Sequence, residues 1–229
     1  NQNILFPELS KLIPFNHYAR KNLGYLYAIN RGFEIIYETD DDNIPLKIFE
    51  KPLEIYKNIK NPEIQSQYKH ITERDDRWIN IFSYYTGGKH IWPRGLPLSK
   101  VTKKSNFSFN KTKIIPSILC GMIEGEPDVD AIYRLTHKKI TKNNIKWKDE
   151  SLIVDNKNIC VFNTQNTFWV NPKIFFSTYV PSTVSFRYTD ILRGIIANYI
   201  LKITNNHLMF SGINVEQIRN EHDLMKDYE

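Results

Sequence analysis

Cysteine is scarce in this chain. Its two thiols, Cys120 and Cys160, lie in apolar stretches and lack metal-ligand spacing, so two buried, reduced thiols are expected. The six histidines form neither H-x-x-x-H nor H-E-x-x-H, which argues against a zinc centre, and His222-Asp223 reads as a solvated tail more readily than as a third metal ligand. Glycine (9 residues) and proline (11) form no repeat, which excludes collagen-like and proline-rich tracts. No stretch approaches the roughly 18 apolar residues of a membrane span. No charged-then-apolar start resembles a signal peptide. G-x-S-x-G, P-loop and G-x-G-x-x-G motifs are absent. There is also no initiating Met: the chain starts at Asn1, which reads as a fragment or a processed product.

What is present is an ordinary globular composition: 229 residues, 41% hydrophobic and 24% charged. This suffices for one large core and predicts a single domain over 1–229. The formal charge is +6, which favours anionic partners such as nucleotides, phosphates, nucleic acid or an acidic membrane surface. Basic residues gather in 100–113 and 137–148, acids at 38–42, 73–76 and 124–130. A basic chain that keeps an Asp-Asp-Asp run intact has an obvious reason to do so in a bound cation.

Leu23, Leu26, Tyr27 and Asn30 recur at helical spacing and predict a helix over 17–31 stopped by Gly32. The apolar run 33–37 predicts a buried strand, followed by the polar loop Glu38–Asn43. Helix, buried strand and polar loop form an α/β signature, and in such sheets ligands bind beyond the strands' carboxyl ends. Loops and short elements are expected over 44–115. A helix is predicted over 128–135 with Asp128 as its N-cap, a strand there being the alternative. Strands are expected at 159–162 and 174–179, and a helix at 190–203. The apolar stripe of that helix is Leu192, Ile195, Ile196, Tyr199, Ile200 and Ile203; its polar face carries Asp190, Arg193 and Gly194. A mid-helix Gly costs about 1 kcal/mol against Ala, so something should pack closely at Gly194.

Extended backbone would point Asp40 and Asp42 the same way and Asp41 elsewhere. Carboxylate oxygens suit Mg²⁺ or Mn²⁺, which also bind diphosphate oxygens, so Asp40 and Asp42 are candidate metal ligands and an acidic turn is the alternative. Arg20, Lys21 and Asn22 open the preceding helix, where cations oppose the helix dipole unless an anion compensates. With Asp41, they are candidate diphosphate contacts. In Trp92-Pro93-Arg94-Gly95, Trp92 offers a flat face to a sugar or base, or anchors a loop, and Arg94 can pair with a carboxylate or phosphate. Asp128 and Asp130 offer a cap and a carboxylate for sugar hydroxyls. Asp190 can act as a base, or steady an oxocarbenium-like centre, or simply pair with Arg193 for a few tenths of a kcal/mol.

Six ordered segments, 16–43, 92–98, 125–136, 162–169, 180–194 and 219–228, resemble the STELLO-type glycosyltransferase family, with a GT-A-like fold. The resemblance implies a transferase using a nucleoside diphosphate sugar, UDP-sugar first, with Mn²⁺ or Mg²⁺ at Asp40 and Asp42. The acceptor would be a carbohydrate, lipid or protein. The Pro-Asp-x-Asp-Ala segment is similar to reversibly glycosylated polypeptides, and the helix start at Asp190 to exostosin-like transferases. These similarities strengthen Asp128, Asp130, Arg187 and Asp190 as site residues; Asp130 and Asp190 are the expected catalytic residues, and Trp92, Arg94, Asp128, Arg187 and Arg193 are expected around sugar or acceptor. Basic flanks around an acidic metal site suit a polyanionic donor better than nucleic acid. The alternatives are a nucleotide-sugar mutase and a non-catalytic sugar- or partner-binding fold. A GT-A fold normally opens with a strand and loop that hold the nucleotide base; with the first strand expected at 33–37, that first strand–helix unit is expected to be missing.

Overall fold

The computed structural model describes residues 2–64, 67–125, 127–137, 145–218 and Met225. The helices are α1 (Gln2–Leu5), α2 (Pro7–Leu12), α3 (Lys21–Asn30), α4 (Lys51–Lys60), α5 (Ile81–Tyr85), α6 (Leu98–Val101), α7 (Ala131–Thr136) and α8 (Thr189–Ile203). The strands are β1 (Ile36–Thr39), β2 (Asn43–Pro45), β3 (Tyr68–Glu73), β4 (Trp78–Ile79), β5 (Phe107–Thr112), β6 (Ile118–Gly125), β7 (Leu152–Val154), β8 (Ile159–Cys160), β9 (Asn166–Trp169) and β10 (Leu208–Gln217).

Eight strands form one mixed sheet in the order β1-β9-β6-β10-β7-β3-β5, with β2 on the far half of β10. β4 and β8 make a separate two-stranded ladder. Strand residues alternate between two apolar layers, as period-2 geometry requires. Ile118, Cys120, Leu152, Val154, Leu208, Phe210 and Trp169 enter the larger core. Leu119, Ile153, Met209 and Phe168 enter a second core, which α4 covers with Ile55. This mixed sheet with helices on its faces agrees with the expected α/β class and with a GT-A-like arrangement.

Several local expectations shift. The helix over 17–31 resolves into a 3₁₀ turn, Tyr18–Arg20, followed by α3. Its buried residues are Asn22, Leu23 and Tyr25, whereas Tyr27 is exposed. Gly32 does close it, at φ +71. The strand begins at Ile36 rather than Phe33, because the chain is still leaving the Gly32 turn; Phe33 and Ile35 are exposed. Among the loops and short elements of 44–115, α4 is a ten-residue helix and β3 and β5 are six-residue strands of the main sheet. Asp130, not Asp128, caps α7, its side chain accepting from the Ile132 N–H. Residues 174–179 are not a strand but most of a 3₁₀ helix, Pro172–Thr178. Asn171 caps it, and the Ser177 and Thr178 hydroxyls donate to the carbonyls of Ile174 and Phe175, local bonds that compete with a sheet ladder.

The largest correction concerns α8. Asp190, Ile191, Arg193, Gly194, Ala197, Asn198 and Leu201 are buried, while Ile196, Tyr199 and Ile203 are exposed. The face that reads as polar turns inward onto an ion pair and backbone hydrogen bonds, although Arg193 Nε and Nη1 are buried without a hydrogen-bond partner among the described residues. Arg193 pairs with Glu38 at 2.8 Å, and Asn198 bonds both backbone groups of Cys160. Gly194 is the contact point: a Cβ there would stand 2.3 Å from the Phe162 carbonyl oxygen. Residues 138–144 of the second basic segment, Glu126, and the 219–228 motif except Met225 lie outside the described residues. Among the described residues, no helix is long and apolar enough to cross a membrane.

Candidate active site

β6 and β10 are parallel, and β1 is antiparallel to β9, itself antiparallel to β6. β1, β6 and β10 therefore run in one direction and end at the same edge of the sheet. A cleft of about 690 Å³ opens there. Asp40, Asp41, Asp42, Asp128, Asp130 and Asp190 line it, together with the cations Lys21, Arg94 and Arg187 and the aromatics Tyr18, Phe186 and Tyr188.

Asp40 leaves β1 as the chain turns, so the extended-strand alternation does not apply and all three aspartates reach the cleft. The Tyr18 hydroxyl donates to Asp40 Oδ1 at 2.5 Å, and the Thr164 hydroxyl donates to Tyr18 at 2.6 Å. Lys21 Nζ stands 3.5 Å from the same Asp40 oxygen and donates to the Thr39 carbonyl at 3.3 Å. Burial raises the Asp40 carboxyl above its ordinary range, against the Lys21 charge and the Tyr18 bond. Asp42 is fixed from the other side: Gln217 Nε2 donates to both its oxygens, at 3.1 and 3.0 Å.

Arg94 organises the opposite wall. Its Nε donates to Asp128 Oδ2 at 2.8 Å, its Nη2 to Asp190 Oδ2 at 2.5 Å and its Nη1 to the Arg187 carbonyl at 2.7 Å. Asn163 also donates to Asp128, at 2.6 Å. Backbone bonds from Arg94 to Asp128 and from Asp130 to Trp92 join the Trp92 loop to the segment before α7. Burial works against the Arg94 charge, but Asp128 and Asp190 outweigh it and hold its pKa above the ordinary value.

Of the candidate residues, Lys21, Asp40, Asp41, Asp42, Arg94, Asp128, Asp130, Arg187 and Asp190 line this one cleft, although one Asp130 oxygen is engaged in capping α7. Four predicted contacts lie elsewhere. Arg20 donates to Gln2 and to the carbonyls of Ser10 and Ile13, so it ties down the N-terminal helices instead of facing the cleft. Asn22 is buried, exchanging hydrogen bonds with both backbone groups of Val180. Trp92 is buried edge-on against Tyr133, the loop-anchor alternative. Arg193 is fully buried on Glu38 and stacks near the Trp169 ring, so it offers nothing to a sugar.

Tyr18 and Gln217 were missed as site residues. Tyr18 sits inside the first resembling segment, which was the available signal. Gln217 carries none, because 175 residues separate it from Asp42. Among the described residues, no three His, Cys, Asp or Glu side chains gather as a cation-holding group. Asp40 and Asp42 still fit Mg²⁺ or Mn²⁺: such ions are commonly held by one or two carboxylates, with substrate phosphates and water completing the shell.

No family model matches the chain. Two proteins of Arabidopsis thaliana, "Probable glycosyltransferase STELLO1" and "Probable glycosyltransferase STELLO2", are each 28% identical to it over 193 residues. The aligned region covers 80% of this chain and 24% of each of those proteins, so the chain spans about a quarter of their length. Along most of its own length, the chain is thus similar to two proteins named as STELLO-type probable glycosyltransferases.

Proposed function

We propose that the chain is a glycosyltransferase domain that moves a sugar from a nucleoside diphosphate sugar, UDP-sugar first, to a hydroxyl of a carbohydrate, lipid or protein acceptor. The observation that carries this reading is the convergence of Asp40, Asp42 and Lys21 with the Arg94-bridged pair Asp128 and Asp190 on one cleft at the strand ends. The relatedness to proteins named as glycosyltransferases supports it. Asp40 and Asp42 would hold Mg²⁺ or Mn²⁺, which when bound neutralises the departing diphosphate.

The chain's own residues do the rest. Lys21 adds a cation beside Asp40, where a diphosphate oxygen would otherwise face carboxylates alone. The Tyr18 hydroxyl takes one Asp40 oxygen and leaves the other for the ligand. Arg94 fixes the Asp190 carboxylate against the cleft, where it can accept the proton of an attacking hydroxyl or steady positive charge at the sugar carbon. Asp128, held by Arg94 and Asn163, would accept from sugar hydroxyls.

Calorimetry tests this. Wild-type protein should bind UDP more tightly with Mn²⁺ than without, and Asp42→Asn should lose the metal-dependent part. Asp190→Asn should keep nucleotide binding while turnover of a UDP-sugar falls about 100-fold or more. Equal wild-type affinity with and without metal sinks the metal role, and unchanged turnover removes Asp190 from the chemistry.

A further inference from the structure

A nucleotide has two recognition problems: its phosphates need charge, and its base needs a flat face about one ribose away. The Asp40–Lys21 corner answers the first. Trp92, the flat face suggested by the sequence, is 4% exposed and cannot answer the second.

The 3₁₀ turn Phe186–Tyr188 lies on the cleft wall just ahead of α8. Phe186 and Tyr188 are each 43% exposed on that wall. The Phe186 ring is nevertheless fixed. Tyr18 meets it edge-on at 5.4 Å and 82°, and His17 does so at 6.0 Å and 89°. The Arg187 guanidinium lies over the ring, 5.8 Å from its centroid. Tyr18 is also the residue whose hydroxyl binds Asp40, so a single tyrosine side chain spaces the aromatic ring from the carboxylate assigned to the diphosphate. Arg187 covers one side of the ring, but at 43% exposure on the cleft wall Phe186 keeps surface for a flat ligand, and a ring clamped by its neighbours loses little freedom when a ligand stacks on it.

We infer that Phe186 is the stacking face for the nucleobase of the donor, with Arg187 as the cation beside the nucleotide. The inference rests on the nucleotide-sugar reading above and adds the base subsite to it. Recognition here is by a π-face, so it tolerates different bases and sets position more than identity.

The test is calorimetric titration of wild type, Phe186→Ala, Phe186→Leu and Phe186→Tyr with UDP and with inorganic pyrophosphate, all with Mn²⁺. Pyrophosphate has no base. Phe186→Ala and Phe186→Leu should weaken UDP binding about tenfold or more while pyrophosphate affinity stays unchanged. Phe186→Tyr, which keeps the face, should retain UDP affinity. Unaltered UDP binding in the Ala and Leu variants overturns the base subsite alone, as does an equal loss for both ligands. Unaltered UDP binding with weakened acceptor use assigns the ring to the acceptor and also overturns it. Wild-type protein that binds neither ligand overturns this inference and the nucleotide-sugar reading together.

Discussion

A guanidinium can serve two carboxylates at once only when both meet its planar fork. Arg94 does so for Asp128 and Asp190, and a lysine there would offer a single point charge to one of them at a time. The Glu38–Arg193 pair works differently. It is buried beneath the cleft, with Glu38 two residues before Asp40 and Arg193 three after Asp190, and it ties the two walls together. Removing one partner of such a buried pair leaves an uncompensated charge and commonly costs about 3–5 kcal/mol. The cysteines are at the other extreme of reactivity. Burial pushes the Cys120 thiol up to about 12 and raises Cys160 well above its usual value. Because the thiolate is the reactive form, neither should be modified by a thiol reagent in native protein near neutral pH, and both should react in denaturant. Labelling of either thiol in the native state at a rate near that of free cysteine would contradict this burial.

At the scale of elements, α8 shows how packing overrides periodicity. Its most apolar stripe is partly exposed, and its inner face includes a glycine and a charged pair. Gly→Ala in an exposed helix interior ordinarily gains about 1 kcal/mol. At Gly194 the sign should reverse, because the new methyl would lie 2.3 Å from backbone that cannot swing aside. Gly194→Ala should therefore cost about 1–3 kcal/mol, read from urea unfolding. A stabilised variant would mean that α8 does not rest on the Phe162 carbonyl. β1 is the companion case: expected over 33–37, it runs Ile36–Thr39, so its start moved by three residues and its end by two, into the polar run, and it still delivers Asp40 to the cleft.

For the whole molecule, the parallel direction of β1, β6 and β10 matters most, since it brings three strand ends to one cleft. Stability is distributed more widely. Asp76, which does not line the cleft, accepts from Lys100 at 2.7 Å, Lys103 at 3.0 Å and the Trp78 N–H at 3.1 Å. Burial alone would raise its pKa, but these donors prevail and hold it well below the usual carboxylate range. A depressed folded-state pKa contributes stability above the unfolded value of about 3.9 and loses it as pH falls further. Asp76→Asn should accordingly lower stability at pH 7 and flatten the acid decline below about pH 4, measured as urea midpoints across that range. An acid limb as steep in Asp76→Asn as in wild type would assign the decline to other carboxylates.

Legible in the order of residues alone are the α/β class, the position of the aspartate run at a strand end, the close approach at Gly194 and the burial of both thiols. These are properties of short segments, and local hydrophobic contrast with turn residues reports them. Long-range packing sets which face of α8 turns inward, that Arg20, Asn22, Trp92 and Arg193 serve the scaffold, and that Tyr18 and Gln217 fix the acidic turn. Arg94 meets its two carboxylates across 34 and 96 residues, and Gln217 meets Asp42 across 175. No pattern with a period of two or 3.6 residues carries information over such separations. The direction of three strands in one sheet does, because it fixes which ends come together.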